Sequence, residues 1–373
     1  MFYYRINGTL CCSLNGELDF PREELYGRGT DEKEAREKAS GEEELVFLFE
    51  RSPKNCRASF RVTDPALLYQ DREDVSWLNK NALGEGMRDE IVDSFIKEGK
   101  MRAVNLNHPR FQEILKEKPE KKKKRVHVLA IGDVGSTLLT GLHLLGGDVI
   151  SSIGICDISD KVTARWEFEE NQIAYPWDYD ALPEVDVVKP EELFQCDVFV
   201  FVASKGIPPV GSEVKDVRMY QFENNSKIVA QYARQAREEN FKGLFAVVSD
   251  PVDPLAKAAY LASNTDENGV FDQKGLRPEQ IQGYGLGVMN ARAAYYAKRD
   301  ERFKQFLTEG RSFGPHGQDL VVAGCIGKAG ALAAMEKKKE ALEARFHGVF
   351  LDRLKTAAES SLDLSQEFFE DPG

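Results

Sequence analysis

The sequence has 373 residues, of which 42% are hydrophobic and 10% aromatic, and a formal net charge of −12. This composition excludes global disorder, and the length predicts two or three domains. The acidic balance argues against nucleic acid as a partner, because a phosphate backbone is bound by a concentrated basic face. The chain has no apolar run long enough to span a membrane, no signal-peptide pattern at the N-terminus and no metal-ligand spacing among its six cysteines, so we expect a cytoplasmic protein without a metal site.

Residues 1–120 are predicted to form a small accessory α+β domain. Short runs rich in aromatic and branched residues favour strands: FYYRIN, TLCCSL, ELVFLFERS and ASFRV. Charged stretches between and after them favour helices: DEKEAREKAS, DEIVDSFIKEGK and HPRFQEILKEK. The run KEKPEKKKKR has six lysines and no apolar residue, and we interpret it as a linker rather than as an anion-binding patch.

From residue 126 onward, strand-like and helix-like stretches alternate. Apolar runs typical of buried parallel strands are VHVLAIG, SSIGICDIS, DVFVFVAS and GLFAVVSD. Helical stretches lie between them, as in STLLTGLHLLGG and NNSKIVAQYARQAREEN. This alternation predicts an α/β fold with a Rossmann-type doubly wound parallel sheet. We expect a nucleotide-binding domain at residues 121–255 and a shortened α/β substrate and catalytic portion at 256–373, which ends in an amphipathic helix around Leu332–Val349.

The first apolar run leads into a candidate phosphate loop. Gly132, Val134 and Gly135 lie between a predicted strand and a predicted helix, and Ala130 stands at the first glycine position of a dinucleotide fingerprint. Glycines let the backbone approach a pyrophosphate, and the helix N-terminus supplies N–H groups. Asp157 ends the next apolar run, 22 positions beyond Gly135, where a carboxylate accepts hydrogen bonds from ribose hydroxyls and repels a 2′-phosphate. The pattern favours NAD, and the alternative is an ordinary tight turn between a strand and a helix.

Three later segments carry candidate catalytic chemistry. His316 lies in GPHG, where flanking glycines leave a histidine accessible. Arg292 ends the segment GYGLGVMNAR, and Asp250 lies in VVSDPVDP at the end of an apolar run. Ligands of doubly wound sheets bind at the carboxyl ends of the strands, so Ala203 and Ser249, which end two such runs, are further candidates for cofactor binding.

These motifs together resemble the lactate/malate dehydrogenase family. AIGDVG, CDIS, VVSDPVDPL, GYGLGVMNAR and GPHG occur in the family's order, between about Val126 and Ala323. The resemblance implies an NAD-dependent oxidoreductase that interconverts a 2-hydroxy acid and a 2-oxo acid, and we expect a homo-oligomer. It implies that His316 is the general acid and base, that Arg292 clamps the substrate carboxylate, and that Arg218 polarises the carbonyl group.

The sequence departs from the family at two positions near the expected nicotinamide. Met289 stands where the family has the Asp that orients the histidine, and Asp250 stands where the family has Asn. We hypothesise that Asp250 takes over the orienting role, while the alternative is that Asp250 caps a strand end or faces water. If the exchange impairs catalysis, the chain is a regulatory NAD-binding protein on the same fold.

The loop before Arg218 and the length of the C-terminal portion also differ. Between Gly206 and Arg218, Lys215 is the only cation, so a monocarboxylate is better supported than a dicarboxylate. Only 57 residues follow His316, and the missing wall of a substrate pocket is expected from residues 1–120 or from another subunit. A Rossmann dehydrogenase for another carboxylate substrate stays open as an alternative.

Overall fold

The computed structural model describes residues 1–16, 18, 28–30, 44–53, 56–69, 73, 89–118, 122–206, 217–314, 316 and 320–323. The chain divides into two compact units, Met1–Pro119 and Glu120–Gly373. The three-part division into residues 1–120, 121–255 and 256–373 stays a prediction. Within the described residues, no helix is both long enough and apolar enough to cross a membrane.

The first unit is built on one mixed sheet. Its described strands are β1 (Phe2–Ile6), β2 (Thr9–Ser13), β3 (Arg28–Thr30), β4 (Leu45–Phe49), β5 (Ser59–Arg61) and β6 (Met101–Asn105). Their order in the sheet is β3-β1-β2-β4-β6-β5. Two described helices accompany the sheet, α1 (Glu90–Lys97) and α2 (Phe111–Lys116). The strand-like runs and two of the helical stretches are found where they were predicted, β6 was not predicted because MRAVN includes two polar residues, and DEKEAREKAS lies outside the described residues.

Strand β4 is the buried centre of the first unit's sheet. It lies between β2 and β6, and every one of its residues is buried. Leu45, Phe47 and Phe49 pack into one hydrophobic cluster, and Val46 and Leu48 pack into another. Since successive side chains of a strand point to opposite faces, the sheet is covered on both sides.

The second unit contains a parallel sheet. Its described strands are β7 (Lys124–Leu129), β8 (Ile150–Cys156), β9 (Glu184–Val187), β10 (Val198–Phe201), β11 (Leu244–Val247) and β12 (Ile281–Gly283). Their order is β12-β11-β10-β7-β8-β9, and each neighbouring pair is parallel. From β7 the chain first adds β8 and β9 on one side of the sheet. It then crosses to the other side of β7 and adds β10, β11 and β12. This is the strand order of the Rossmann fold, so the predicted fold class is confirmed.

Helices connect these strands and cover the sheet. They are α3 (Asp133–Leu145), α4 (Asp160–Glu170), α5 (Val217–Glu238), α6 (Val252–Asn264), α7 (Leu286–Ala297) and α8 (Phe306–Glu309), and a hairpin follows, β13 (Arg311–Phe313) and β14 (Val321–Ala323). In β10, Phe199 and Phe201 enter one core cluster while Val200 and neighbouring Val202 enter the other. The sheet is therefore buried on both faces, which explains the continuous apolar runs of the sequence. The predicted helix at Leu332–Val349 lies outside the described residues.

An ion pair ties the end of α5 to the loop after α6. Arg237 donates from Nη1 and Nη2 to the two carboxylate oxygens of Asp272, at 2.7 Å each, and Nη1 also donates to the Ser263 carbonyl at 3.0 Å. These hydrogen bonds from Arg237 hold the pKa of Asp272 below its ordinary value, and they raise the pKa of Arg237. A bidentate contact of this kind fixes direction as well as distance.

Candidate active site

The predicted site residues gather at one edge of the parallel sheet. Since the strands run in one direction, the carboxyl ends of β7, β8, β10 and β11 meet at the same edge. The glycine-containing loop follows β7, and Asp157 follows β8. Ala203 lies just beyond β10, and Ser249 and Asp250 lie just beyond β11.

The loop after β7 is a tight turn between the strand and α3. Ala130, at the first glycine position, has a φ of +74°, in the left-handed region that favours glycine. A Cβ on Gly135 would lie 2.0 Å from the Ala130 carbonyl oxygen, so only glycine lets α3 approach β7 this closely. A Cβ on Gly132 would meet no atom within 4 Å, and Val134 is exposed. The turn is thus tight on its protein side and open on the other.

The carboxylate of Asp157 is held beside this loop. Its Oδ2 accepts a hydrogen bond from the N–H of Ile131 at 2.8 Å, and its Oδ1 accepts one from the N–H of Ser159 at 3.0 Å. Each carboxylate oxygen accepts two hydrogen bonds, so both retain capacity for a hydroxyl donor. The half-buried carboxylate is therefore oriented before a ligand arrives.

Ser249 and Ala203 form a link between neighbouring strand ends. The hydroxyl of buried Ser249 donates to the Ala203 carbonyl at 2.5 Å, and its N–H contacts the carbonyl of Phe201 at 3.4 Å. The hydroxyl proton of Ser249 is therefore used in a hydrogen bond within the protein. In this structure Ser249 joins β10 to β11, and its role in cofactor binding stays a prediction.

Asn225 is a buried connection that the sequence did not indicate. It lies within α5 and is 0% exposed. Its Nδ2 donates to the Asp250 carbonyl at 2.9 Å and to Ser204 Oγ at 3.2 Å, and its Oδ1 accepts from the Lys205 N–H at 2.9 Å. Asparagine usually favours helix ends, but here its amide forms hydrogen bonds with partners outside the helix. Helix α5 begins before the predicted NNSK segment.

His316 and Asp250 are brought together, as the sequence hypothesis required. The imidazole Nε2 lies 3.8 Å from Asp250 Oδ1, and the two side chains are 14% and 54% exposed. This separation is longer than a hydrogen bond. The two side chains form an ion pair when the ring is protonated. Nδ1 of His316 is buried, and no described residue makes a hydrogen bond with it. Asp250 therefore faces one ring nitrogen, and the other is left without a described acceptor.

The main chain of His316 is held from two helices. Its N–H donates to Asp253 Oδ2 at 2.8 Å, and its carbonyl accepts from Arg218 Nη1 at 2.7 Å. A Cβ on Gly285 would lie 3.0 Å from the Cβ and Cγ of His316, so the ring packs on glycine backbone. Neither Asp253 nor Gly285 was predicted as a site residue, although both lie in quoted motifs.

Arg292 is not joined to His316 by any described contact. It lies exposed on α7, and among the described residues none makes a hydrogen bond or ion pair with it. Its helix is nevertheless tied to the strand before His316, because Asn290 Oδ1 accepts from the Ser312 N–H at 2.8 Å. Met289, on the same helix, is half-buried. The role of Arg292 as a carboxylate clamp stays a prediction.

A metal centre is not part of the described site. Among the described residues, no group of three or more His, Cys, Asp or Glu side chains is placed to hold a metal ion. The polar side chains gathered near this edge include an imidazole, carboxylates and a guanidinium group, from His316, Asp250, Asp253 and Arg218.

Comparison with known proteins finds sequence relatives among dehydrogenases. No family model matches the chain. L-lactate dehydrogenase of Mycoplasma mobile is 28% identical over 186 residues, which are 45% of this chain and 55% of that protein. L-lactate dehydrogenase of Treponema denticola is 26% identical over 204 residues, 55% and 58% of the two chains. Malate dehydrogenase of Aliarcobacter butzleri is 21% identical over 198 residues, 53% and 57% of the two chains. Over about half of its length, the chain is similar in sequence to lactate and malate dehydrogenases.

The family resemblance predicted from the motifs is thereby confirmed. The chain spans little more than half the length of these curated relatives, 55% to 58%. Among solved structures, malate dehydrogenase from Archaeoglobus fulgidus in complex with NADH has a TM-score of 0.41 and 17% identity, over 63% of this chain and 75% of that chain. A lactate dehydrogenase from a Medee basin deep-sea metagenome library has a TM-score of 0.40 and 17% identity, over 64% and 77%. The Rossmann fold itself rests on the strand order and parallel pairings of the second unit.

Proposed function

We propose that this protein is an NAD-dependent oxidoreductase that interconverts a 2-hydroxy acid and a 2-oxo acid. One observation carries the proposal: Nε2 of His316 lies 3.8 Å from Asp250 Oδ1 at the sheet edge to which the glycine-containing loop also belongs. A titratable imidazole beside a carboxylate is a proton donor and acceptor. Its place at the carboxyl edge of a Rossmann sheet is where a dinucleotide brings its reactive end.

The residues present fit NAD. Gly132, Val134 and Gly135 would hold the pyrophosphate against the start of α3, and Asp157 would accept hydrogen bonds from the adenosine ribose. The negative charge of Asp157 opposes a 2′-phosphate, so NAD is favoured over its phosphorylated form. When bound, NAD supplies hydride transfer to and from the substrate carbon.

The substrate in this proposal is a small 2-oxo or 2-hydroxy carboxylate. Reduction of a 2-oxo acid adds a proton to the carbonyl oxygen, and protonated His316 would donate it from Nε2. The carboxylate of Asp250 would face the same nitrogen, at 3.8 Å. Arg292 would bind the carboxylate through its guanidinium, and Arg218 would favour the developing negative charge on the carbonyl oxygen. The names of the relatives, L-lactate and malate dehydrogenases, support this substrate class.

A second function is favoured by Met289. Its side chain offers no acceptor for Nδ1 of His316, and that nitrogen has no described hydrogen-bond partner. A ring that loses its Nε2 proton would keep a buried Nδ1–H without an acceptor, which is unfavourable. On this alternative the protein binds NAD and does not turn over, which would make it a regulatory protein on the dehydrogenase fold.

Other properties expected from the sequence stay predictions. They are a cytoplasmic location, assembly into a homo-oligomer, the absence of nucleic-acid and membrane partners, and the preference for a monocarboxylate. Lys215, on which that preference depends, lies outside the described residues.

Steady-state NADH oxidation by the full chain tests the proposal. We expect turnover with at least one member of a panel of pyruvate, 2-oxobutyrate, phenylpyruvate and oxaloacetate. His316→Asn should abolish turnover and leave the dissociation constant for NADH within about twofold, because general acid and base catalysis contributes about 10² or more. NADH binding without turnover on any 2-oxo acid would favour the regulatory alternative, and absence of NADH binding would overturn both.

A further inference from the structure

We propose that Asp253 is a positioning residue that fixes the main chain of His316 and thereby sets its ring against Asp250. The proposal rests on the proposed function in assigning a consequence for turnover. The decisive contact is the hydrogen bond of 2.8 Å from the N–H of His316 to Asp253 Oδ2. It joins the turn that carries His316 to the first turn of α6.

Asp253 and Asp250 belong to one short and tightly packed segment. The segment passes from the end of β11 into α6, and Val252 within it is 3% exposed. A Cβ on Gly283, in the neighbouring strand β12, would lie 2.5 Å from Val252 Cγ1, so β12 packs closely against the segment. The Asp250 carbonyl is bound by Asn225 at 2.9 Å, which holds the other side of the segment. The two carboxylates therefore reach His316 from one closely packed junction.

The contact between Asp250 and the ring does not fix the ring by itself. At 3.8 Å, Nε2 and Oδ1 are beyond hydrogen-bond length, and Asp250 is 54% exposed. A charge-assisted hydrogen bond to the main chain is shorter and roughly twice as strong as a neutral one. The position of the imidazole is thus set mainly through the backbone of His316, with Asp253 as the acceptor.

A second anchor acts on the other side of the same residue. Arg218 Nη1 donates to the His316 carbonyl at 2.7 Å from the start of α5. The N–H and the carbonyl of His316 are therefore held by side chains of opposite charge from different helices. Gly285 limits the ring itself, because any side chain there would displace the His316 Cβ. With these constraints in place, removal of Asp253 frees the N–H end of the turn.

The test compares Asp253→Ala, which removes the acceptor, with Asp253→Asn, which keeps an acceptor oxygen. The first readout is the ¹⁵N spectrum of histidine-labelled full-length protein, in which the ring signals of His316 are assigned by their loss in His316→Asn. We expect Asp253→Ala to shift these signals. In Asp253→Asn the signals should lie close to their positions in the parent protein. The second readout is turnover, which should fall at least tenfold in Asp253→Ala with NADH affinity within about twofold, because small misplacements of a catalytic group cost up to about 10².

Asp266 provides the matched control. Its side chain also accepts backbone N–H groups, from Asn268 at 2.9 Å and Val270 at 2.8 Å, but in the loop that follows the opposite end of α6. Asp266→Ala should leave the His316 ring signals and turnover unchanged. Unshifted ring signals in a folded Asp253→Ala would overturn the proposal. Signals in Asp253→Asn that are displaced as far as those in Asp253→Ala would overturn it too. Shifted ring signals in a protein that reduces no 2-oxo acid would support the positioning role and refute the proposed function.

Discussion

Nε2 of His316 lies 3.8 Å from Oδ1 of Asp250, while Nδ1 of the same ring is buried and has no described hydrogen-bond partner. The carboxylate at position 250 thus reaches the catalytic candidate from the side of the nitrogen that would exchange a proton with substrate. Met289 carries no charge. The charged side chains that the structure places against His316 are Asp250, Asp253 and Arg218.

Replacement of Asp250 tests this arrangement. Asp250→Asn keeps the shape and removes the negative charge that faces Nε2 of His316, so we expect the rate of 2-oxo acid reduction at neutral pH to fall by about tenfold or more. The double change Asp250→Asn with Met289→Asp should recover activity, because it restores the two residues that the lactate/malate dehydrogenase pattern has at these positions. Normal turnover of the single variant would show that Asp250 only faces water.

Asp157 should determine the choice between the two nicotinamide cofactors. We expect NADH to bind at least about tenfold more tightly than NADPH, because the carboxylate repels a 2′-phosphate. Asp157→Ala should narrow the ratio mainly by weakening NADH, as measured by fluorescence titration. Asp160→Ala, which changes an exposed acidic residue at the start of α4, is the control and should leave the ratio near its parental value. Equal affinities in the parent protein would refute the assignment.

Arg292→Lys separates substrate binding from cofactor binding. The change keeps the charge and loses the planar fork that binds a carboxylate bidentately. The KM for the 2-oxo acid should rise at least about tenfold, equivalent to about 1.4 kcal/mol, while NADH affinity stays the same. Arg299→Lys, just beyond the same helix, should change neither constant. A parallel loss of NADH affinity in Arg292→Lys would indicate a structural role.

Ala130→Gly should stabilise the protein. At φ +74°, an alanine Cβ crowds its neighbouring carbonyl, at a cost of roughly 1 kcal/mol that glycine does not incur. Because glycine also gains freedom in the unfolded chain, we expect a net gain of about 0.5 kcal/mol in the free energy of unfolding, measured with urea. Ala236→Gly, inside α5, should instead lower the free energy of unfolding, by about 1 kcal/mol. A loss of stability in Ala130→Gly would contradict the strain argument.

Asp272 should contribute stability that depends on pH. Its pKa is lowered in the folded protein, first by the hydrogen bonds from Arg237, so its contribution is present above the unfolded pKa of about 3.9. The contribution is lost as the pH falls through the folded value. Asp272→Asn should lower the free energy of unfolding at pH 7 by about 1 to 3 kcal/mol, and the difference from the parent should vanish in acid. Asp300→Asn, in an exposed pair with Arg302, should show no measurable change.

The sequence by itself determined the elements that depend on neighbours in the chain. Continuous apolar runs predicted the buried parallel strands, and the loop around Gly135 showed where β7 turns into α3, because both signals are contained within a few consecutive residues. The position of Asp157 at a strand end was predicted for the same reason, because only one helix and one strand separate it from the loop.

Only the tertiary structure decided which distant side chains meet. His316 is separated from Asp253 by 63 positions and from Arg218 by 98, and no local pattern encodes those contacts. Asn225 lies in a predicted helix, and nothing in the neighbouring sequence indicated its hydrogen bond to the Asp250 carbonyl. The pairing of Asp250 with His316 was proposed from family order, but the ring nitrogen that faces the carboxylate is set by packing on Gly285 and by hydrogen bonds to the His316 backbone. These contacts depend on how helices from separate parts of the chain pack around one sheet edge, which chain-local periodicity does not specify.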